Sequence, residues 1–304
     1  MKRFLNVVLV SSLALVGCKK QSESADRPEV TKPIEAAAQP PTAPAEPTPA
    51  ELVTALAACT DYVSCSKVEA GLAKAGVTIA PDLVKIAVDG AKPRDARETA
   101  AKGLVAIKAP GTGMALFEAA KADADIMIRG PLYAAAAASG DAAVFEAAKA
   151  HLMTEAGWDD RIQVNKALVP FGKQTFDWAA ASIVKTKKFS EVSRFGELIG
   201  ATATAAELPA LEALLPQVKE QMARGDLAQA MIELGSPQGF DVLMAGLQSK
   251  DDLERNNAAK TLESVVDKLP AERKAEFAAA VEYGKANDRS GTYTNWDAIL
   301  GKLK

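Results

Sequence analysis

The chain has 304 residues, and its 36 lysines and arginines nearly balance its 39 aspartates and glutamates, which gives a formal net charge of −3. No segment carries the dense basic patch that nucleic-acid binding requires, so nucleic acid is excluded as a partner. Residues that favour helices are abundant, only 5% of residues are aromatic, and strand-type alternation is hard to find. The composition therefore predicts an all-α protein.

Residues 1–17 have the pattern of an export signal. Basic residues follow the first Met, and the apolar run 4–15 is too short to span a bilayer comfortably. The segment ends in Leu15-Val16-Gly17-Cys18, which resembles the lipobox of bacterial lipoproteins. The resemblance implies a signal peptide that is cleaved before Cys18, and a mature protein held to the membrane by diacylglyceryl and palmitate chains on that residue. The alternative is an ordinary secretory signal with a chance cysteine.

The same resemblance gives an expected location. Lys19-Lys20 follows the cysteine, whereas an Asp there retains lipoproteins of enteric bacteria at the inner membrane. We therefore expect the outer membrane of the cell envelope, with the protein facing the periplasm. No second long apolar run follows, so the lipid is the expected membrane contact.

Residues 18–50 are predicted to be a disordered linker. They are rich in proline, alanine and glutamate and contain hardly any large apolar side chain. Fully stretched, such a segment reaches on the order of 100 Å. It would hold a folded domain, residues 51–304, away from the membrane surface.

Cys59 and Cys65 follow the linker, separated by five residues. Two nearby cysteines in an exported protein predict a structural disulfide. A metal site would need further ligands, and the only histidine is distant, at position 151. A thioredoxin-type redox pair would need two intervening residues. Both remain alternatives.

An internal repeat begins near residue 81. Six arginines recur at intervals of 30 to 33 residues, and in most units apolar residues follow at +3, +7 and +10, which lie on one helical face. Another apolar helical stretch precedes each arginine, and Gly or Pro separates the two. A helix pair of this size cannot cover its own apolar stripe, so neighbouring units must stack. The arginines are Arg97, Arg129, Arg161, Arg194, Arg224 and Arg255.

Segments 93–104 and 251–262 resemble the short, HEAT-like form of the HEAT-repeat family, in which acidic residues at a turn are followed by an apolar residue, any residue and Arg, then by an Ala pair and Leu. The resemblance covers about residues 81–270 and is weakest at 176–206. It implies an α-solenoid of six to seven antiparallel helix pairs. It also implies that Asp95 with Arg97, and Asp252 with Arg255, form a hydrogen-bonded ladder between units. A tetratricopeptide array is the alternative.

Catalytic motifs are scarce. The single histidine, His151, lies between apolar residues of a predicted helix, and zinc sites or Ser-His and Cys-His catalysis lack the necessary residues. We expect no cofactor and no metal. Paired aspartates at 123/125, 159/160 and 251/252 fall at predicted turns, where they would cap the following helix.

Aromatic residues concentrate in one part of the repeat, positions 158–195. A locally larger core explains them, but Trp158 and Trp178 are also candidates for an exposed partner-binding groove. Lys185, Lys187 and Lys188 form the densest basic cluster of the folded part, which a solvated helix end explains.

The sequence thus favours a non-enzymatic, lipid-anchored envelope scaffold that binds another protein, whose identity it does not reveal. One alternative is a periplasmic chaperone or enzyme with a carboxylate-based site. Another is a mechanical spacer between envelope layers.

Overall fold

A computed structural model describes residues 46–289 and 295–304, except for the side chains of Trp158 and Phe189. Over these residues every regular element is an α-helix or a short 3-10 turn, and no strand forms, which confirms the all-α prediction. The α-helices are α1 Pro49–Ala58, α2 Tyr62–Ala75, α3 Ala80–Val88, α4 Arg94–Ile107, α5 Gly113–Ala122, α6 Ile126–Ala138, α7 Ala142–Leu152, α8 Glu155–Asp159, α9 Arg161–Leu168, α10 Lys173–Ile183, α11 Phe189–Thr202, α12 Leu208–Leu214, α13 Gln221–Glu233, α14 Gln238–Leu247, α15 Asp252–Val265, α16 Lys274–Asn287 and α17 Trp296–Leu303.

The first helix begins inside the segment that the sequence assigns to the linker. Thr48 caps it: the Glu51 N–H donates to Thr48 Oγ1 over 3.3 Å, and the Thr48 N–H donates to Glu51 Oε2 over 2.7 Å. Pro49 occupies the first helical position, where a missing N–H costs nothing. This capping box starts the helix two residues before the predicted boundary.

Two series of helices carry the packing between residues 46 and 304. In one series, each helix packs against the next of α2, α4, α6, α9, α11, α13, α15 and α17. In the other, α1, α3, α5 and α7 pack in succession, and α14 packs against α16. One buried apolar cluster runs from Leu52 to Met231 and a second from Ala228 to Leu303, and α13 contributes to both.

Carbonyl groups at or just beyond the ends of helices accept hydrogen bonds from five of the recurring arginines, and Arg161 donates to the Glu197 carboxylate over 3.2 Å. Arg97 Nε donates to Ala87 O over 3.0 Å, near the end of α3, and Arg129 Nε donates to Asp123 O over 2.8 Å, just after α5. Further bonds of this kind join Arg194 to Leu152 O, Arg224 to Leu215 O and Val218 O, and Arg255 to Ser249 O. Because the last carbonyls of a helix lack partners within it, each of these five arginines satisfies the end of a helix that precedes it in the chain.

Arg97 also binds a carboxylate of the following unit, but that carboxylate is Asp123 rather than the expected Asp95. Asp95 precedes Arg97 by two positions on α4, and side chains two residues apart do not share a helix face. Burial disfavours ionisation of Asp123, but hydrogen bonds from Arg97 and from the Asp125 N–H outweigh it and hold the pKa of Asp123 below its ordinary value. The Arg97–Asp123 pair thus joins α4 to the turn before α6.

Asp252 and Arg255 do contact one another, but both lie on α15. The bond from Arg255 to the next unit goes instead to a carbonyl, Asn287 O, over 2.7 Å. The contact between units at Arg255 is therefore made by the guanidinium and a main-chain group, with Asp252 holding the arginine from its own helix.

Two of the three aspartate pairs cap helices as expected. Asp125 Oδ1 accepts from the Met127 N–H over 3.0 Å, and Asp251 Oδ1 accepts from the Glu254 N–H over 2.9 Å. Asp160 precedes α9 but makes no side-chain cap, because its carboxylate turns into the protein toward Tyr133. None of the described helices is both long and apolar enough to cross a membrane.

Candidate functional site

A shallow groove of about 510 Å³ opens where the end of α7 meets α10, α11 and the loop between them. Trp178 and Phe195 form its floor together with Met153. Lysines of the α10–α11 loop stand on its rim: Lys185, Lys187 and Lys188. The groove therefore combines an apolar floor with a basic edge.

Stacked aromatic rings make the floor rigid. The Trp178 and Phe195 ring centroids are 5.3 Å apart with the planes at 88°, and Phe145 meets Trp178 edge-on at 6.4 Å. Phe145 also contacts Phe171, at 5.2 Å. Edge-to-face pairs of this kind are favourable beyond the area they bury. Phe195 is fully enclosed, whereas Trp178 is half-buried and presents part of its ring to the groove.

A cation further fixes the indole. Lys149 Nζ lies 5.6 Å from the Trp178 ring and 4.9 Å from the Phe145 ring, and it pairs with Glu146 at 2.8 Å. An ammonium within about 6 Å of a ring face is attracted to its π electrons. Trp178 is thus held between Phe145, Phe195 and Lys149, in a fixed orientation.

The rim loop is tied to the first turn of α11. The Thr186 hydroxyl donates to Glu191, and Lys188 Nζ lies 3.1 Å from the same carboxylate. The Thr186 hydrogen bond and the charge of Lys188 lower the pKa of Glu191. Lys185 and Lys187 remain exposed and make no ion pair with any residue that the structure describes. Their charges are therefore available at the groove edge.

The aromatic concentration predicted from the sequence is mostly core, with one accessible member. Phe176 and Phe195 are buried and Phe171 packs against the core, so Trp178 is the described member of this group that both lines the groove and is partly exposed. The side chain of Trp158 lies outside the described residues. Cys18 and the signal peptide also lie outside them, so the structure does not test the lipid anchor.

Cys59 and Cys65 lie at disulfide distance. Their sulfur atoms are 1.96 Å apart and their Cα atoms 5.3 Å apart, across the turn between α1 and α2. No cluster of three or more metal-ligating side chains occurs among the described residues, so the metal alternative gains no support there.

A second polar cluster lies inside the protein. Tyr133 Oη donates to Asp160 Oδ2 over 3.0 Å, and Arg129 Nη1 lies 3.7 Å from the same oxygen. Burial raises the pKa of Asp160, against the lowering effects of Tyr133 and Arg129, and the pKa of Tyr133 is also raised, first by burial. His151 packs beside Tyr133 and Phe117, and burial followed by the charge of Lys121 lowers its pKa.

This cluster is a poor candidate for catalysis. Tyr133 is 0% and Asp160 2% exposed, so a substrate cannot reach either group. The arrangement resembles the other contacts between units, in which an arginine meets an acidic residue about one repeat later. We interpret it as packing support for α6 and α9.

Sequence reasoning missed the basic rim. It explained Lys185, Lys187 and Lys188 as a solvated helix end, whereas the structure places them beside Trp178. The available signal was the short distance along the chain between a tryptophan and three lysines, seven to ten residues, which spans the end of one helix and the start of the next. Met153, which also lines the groove, lies more than 20 residues away in the sequence, so no such signal pointed to it.

Comparison of the chain with protein-family models, curated proteins and solved structures gave no match. Function is therefore inferred from the geometry of the groove.

Proposed function

We propose that the protein is a lipid-anchored scaffold of the bacterial envelope that binds another protein through the groove at Trp178. The observation that carries the proposal is the combination of a fixed, partly exposed tryptophan with Lys185 and Lys187, which have no carboxylate partner among the described residues. Tryptophan dominates binding energy at protein interfaces when it sits in a well-packed setting with a polar rim.

The body that carries the groove is, in this proposal, a HEAT-like α-solenoid of antiparallel helix pairs. The successive packing of alternate helices supports it, as does the recurrence of arginine contacts at helix ends. Such stacks present extended surfaces whose loops can vary without loss of the fold. Lipidation at Cys18, the linker and an outer-membrane, periplasm-facing location complete the proposal and derive from the sequence alone.

The rigidity of the site favours binding over catalysis. A partner that docks on Trp178 meets a ring already ordered by Phe145 and Phe195, so little side-chain entropy is lost on binding. The groove is shallow and does not enclose a small substrate. The titratable groups withdrawn from water, Asp160 and Tyr133, lie in the interior instead.

Site-specific photo-crosslinking in cells tests this function. We would place p-benzoylphenylalanine at Met153, on the groove floor, and in a matched strain at Tyr283, an exposed aromatic position on α16. The proposal predicts a discrete adduct from position 153 that is lost when Trp178→Ala is added, and no equivalent from position 283. Equal adducts at both positions, or a position-153 adduct insensitive to Trp178→Ala, would contradict it.

A further inference from the structure

The chemistry of the groove also selects its partner, an inference that rests on the proposed function. We propose that the groove takes an acidic segment of the partner protein: one large apolar or aromatic side chain on the floor, flanked by carboxylates that meet the lysine rim.

The floor defines the first part of the ligand. Trp178 and Met153 are the accessible apolar surfaces, and the volume of about 510 Å³ is open to solvent. A space of this size seats one or two side chains and not a whole domain. An aromatic or long aliphatic side chain stacked on the indole gives the largest gain, because it buries apolar area against a ring that is already fixed.

The rim defines the second part. Lys185 and Lys187 project at the edge without an ion-pair partner among the described residues, and Lys188 shares Glu191 with Thr186. The whole chain carries a net charge of −3, so this loop is a local concentration of positive charge on an acidic protein. A partner carboxylate is attracted here and weakly repelled by the chain as a whole, which directs an acidic segment to the groove.

The mode of attachment follows from the fold. The residues that the structure describes form no strand, so the partner segment cannot add to a sheet edge at this site. In this proposal the contacts are made with the side chains of the groove, so binding is sensitive to single substitutions there.

Selection from a random peptide display library on the detergent-solubilised full-length protein tests the inference. We expect enriched peptides with one aromatic or large aliphatic residue and an excess of Asp and Glu. Synthetic copies should bind about tenfold or more weakly to Trp178→Ala, as expected for the loss of an interface anchor. The double variant Lys185→Glu/Lys187→Glu should lose binding by at least a similar factor, and added salt should no longer weaken the binding that remains. Tyr283→Ala is the matched control and should bind as the wild type does.

The outcomes distinguish failure of the acidic partner from failure of protein binding at the groove. Peptides that need Trp178 but show no acidic enrichment, or that bind the lysine variant normally, overturn the acidic partner and leave protein binding intact. If no selected peptide loses affinity for either variant, and no crosslink forms from position 153, both the acidic partner and protein binding at the groove are overturned. The lysine variant keeps the aromatic floor, so the test stands even if Trp178→Ala unfolds.

A membrane surface is the competing use of the lysines. Binding of the wild type to vesicles of phosphatidylcholine and phosphatidylglycerol, lost in the lysine variant while peptide binding persists, would assign the rim to lipid and overturn the inference.

Discussion

Helices pack against one another through side chains of different size in two stretches of the protein, one around α4 and one around α10 and α11. In α4 the buried face is made mostly of small side chains, with Arg97 and Leu104 as the larger members. A Cβ built on Gly103 would lie 3.1 Å from Leu72 and from Leu83, so neighbouring helices approach closely. In the second stretch, the rings of Trp178 and Phe195 stand between the helices. The first stretch therefore packs by close approach of helices, and the second packs through aromatic rings placed between them.

The arginine contacts differ in the same way. Arg97 binds a carbonyl of the helix directly before it and an aspartate of the next turn, and both of these groups are nearly buried. Arg194 instead reaches Leu152 O at the end of α7, beyond the immediately preceding α10. The irregular contact occurs beside the groove. Among the carbonyl contacts, the exception therefore lies beside the groove that we propose for binding.

The largest effect is expected at the regular contact. Arg97→Ala removes the donor to Ala87 O and leaves the buried Asp123 carboxylate without its cationic partner, and breaking a buried ion pair from one side costs about 3–5 kcal/mol. We expect a drop of about 3 kcal/mol in the free energy of unfolding, measured by urea denaturation. Peptide or partner binding at temperatures where the variant is folded should be unchanged.

A neighbouring arginine provides the control. Arg94 pairs with Asp125 at 2.7 Å but is 57% exposed, and exposed pairs contribute about 0–1 kcal/mol. If Arg94→Ala lowers the free energy of unfolding as much as Arg97→Ala does, burial is not the reason that the Arg97 contact stabilises the protein. The contrast between the two stretches would then be wrong.

A smaller loss is expected at the far end of the repeat. Arg255→Ala removes donors from Ser249 O and Asn287 O, but the remaining acid, Asp252, is about one third exposed and can be hydrated. Hydrogen bonds from charged groups contribute about 1.5–3 kcal/mol, so we expect a loss of about 2 kcal/mol. Side-by-side melting curves and binding assays check it: loss of binding with an unchanged melting temperature would move the binding site to this turn.

The sequence predicted the helices and the arginine repeat because both depend on local periodicity. It placed Asp95 in the ladder because a family pattern assigns the acid by position in the motif, whereas the actual partner, Asp123, lies 26 residues beyond Arg97 and is chosen by packing. The groove was only half predicted. The local concentration of aromatic residues identified Trp178 as a candidate. The placement of Met153 and the lysine loop beside Trp178 is a tertiary property that no local pattern records.

The stability of the protein is expected to depend on pH through a carboxylate one repeat unit beyond the groove. Asp226 of α13 faces α11, since a Cβ on Gly196 would lie 2.8 Å from its Oδ2, and burial, with the nearby charges of Glu197 and Glu220, raises its pKa to about 7. The folded state therefore binds a proton that the unfolded state releases near its ordinary pKa of 3.8. The resulting stabilisation is complete below that pH and is lost as the pH rises through 7.

Asp226→Asn removes this dependence. Since Asp226 is partly accessible, we expect the variant to be more stable than the wild type by about 1–2 kcal/mol at pH 8, less than the roughly 4 kcal/mol that a fully effective shift of this size implies. Near pH 4 the two should coincide. Thermal melts at both pH values measure the difference, and Asp267→Asn, an exposed carboxylate, serves as the control. A constant difference at all pH values would show that ionisation of Asp226 is not involved.

The smallest expected effect on stability is at the rim itself, and it is the sharpest test of the contrast between structural and binding charges. Lys185 and Lys187 are exposed and form no ion pair with a described residue, so the double variant Lys185→Ala/Lys187→Ala should change the free energy of unfolding by less than about 0.5 kcal/mol. Binding of an acidic peptide should nevertheless weaken, and its salt dependence should flatten, because the removed charges act only on the ligand. Urea denaturation and peptide titration at two salt concentrations give both values on the same sample. A marked loss of stability would mean that these lysines hold the loop in place, as Lys188 does through Glu191, and the rim would then belong with the regular contacts.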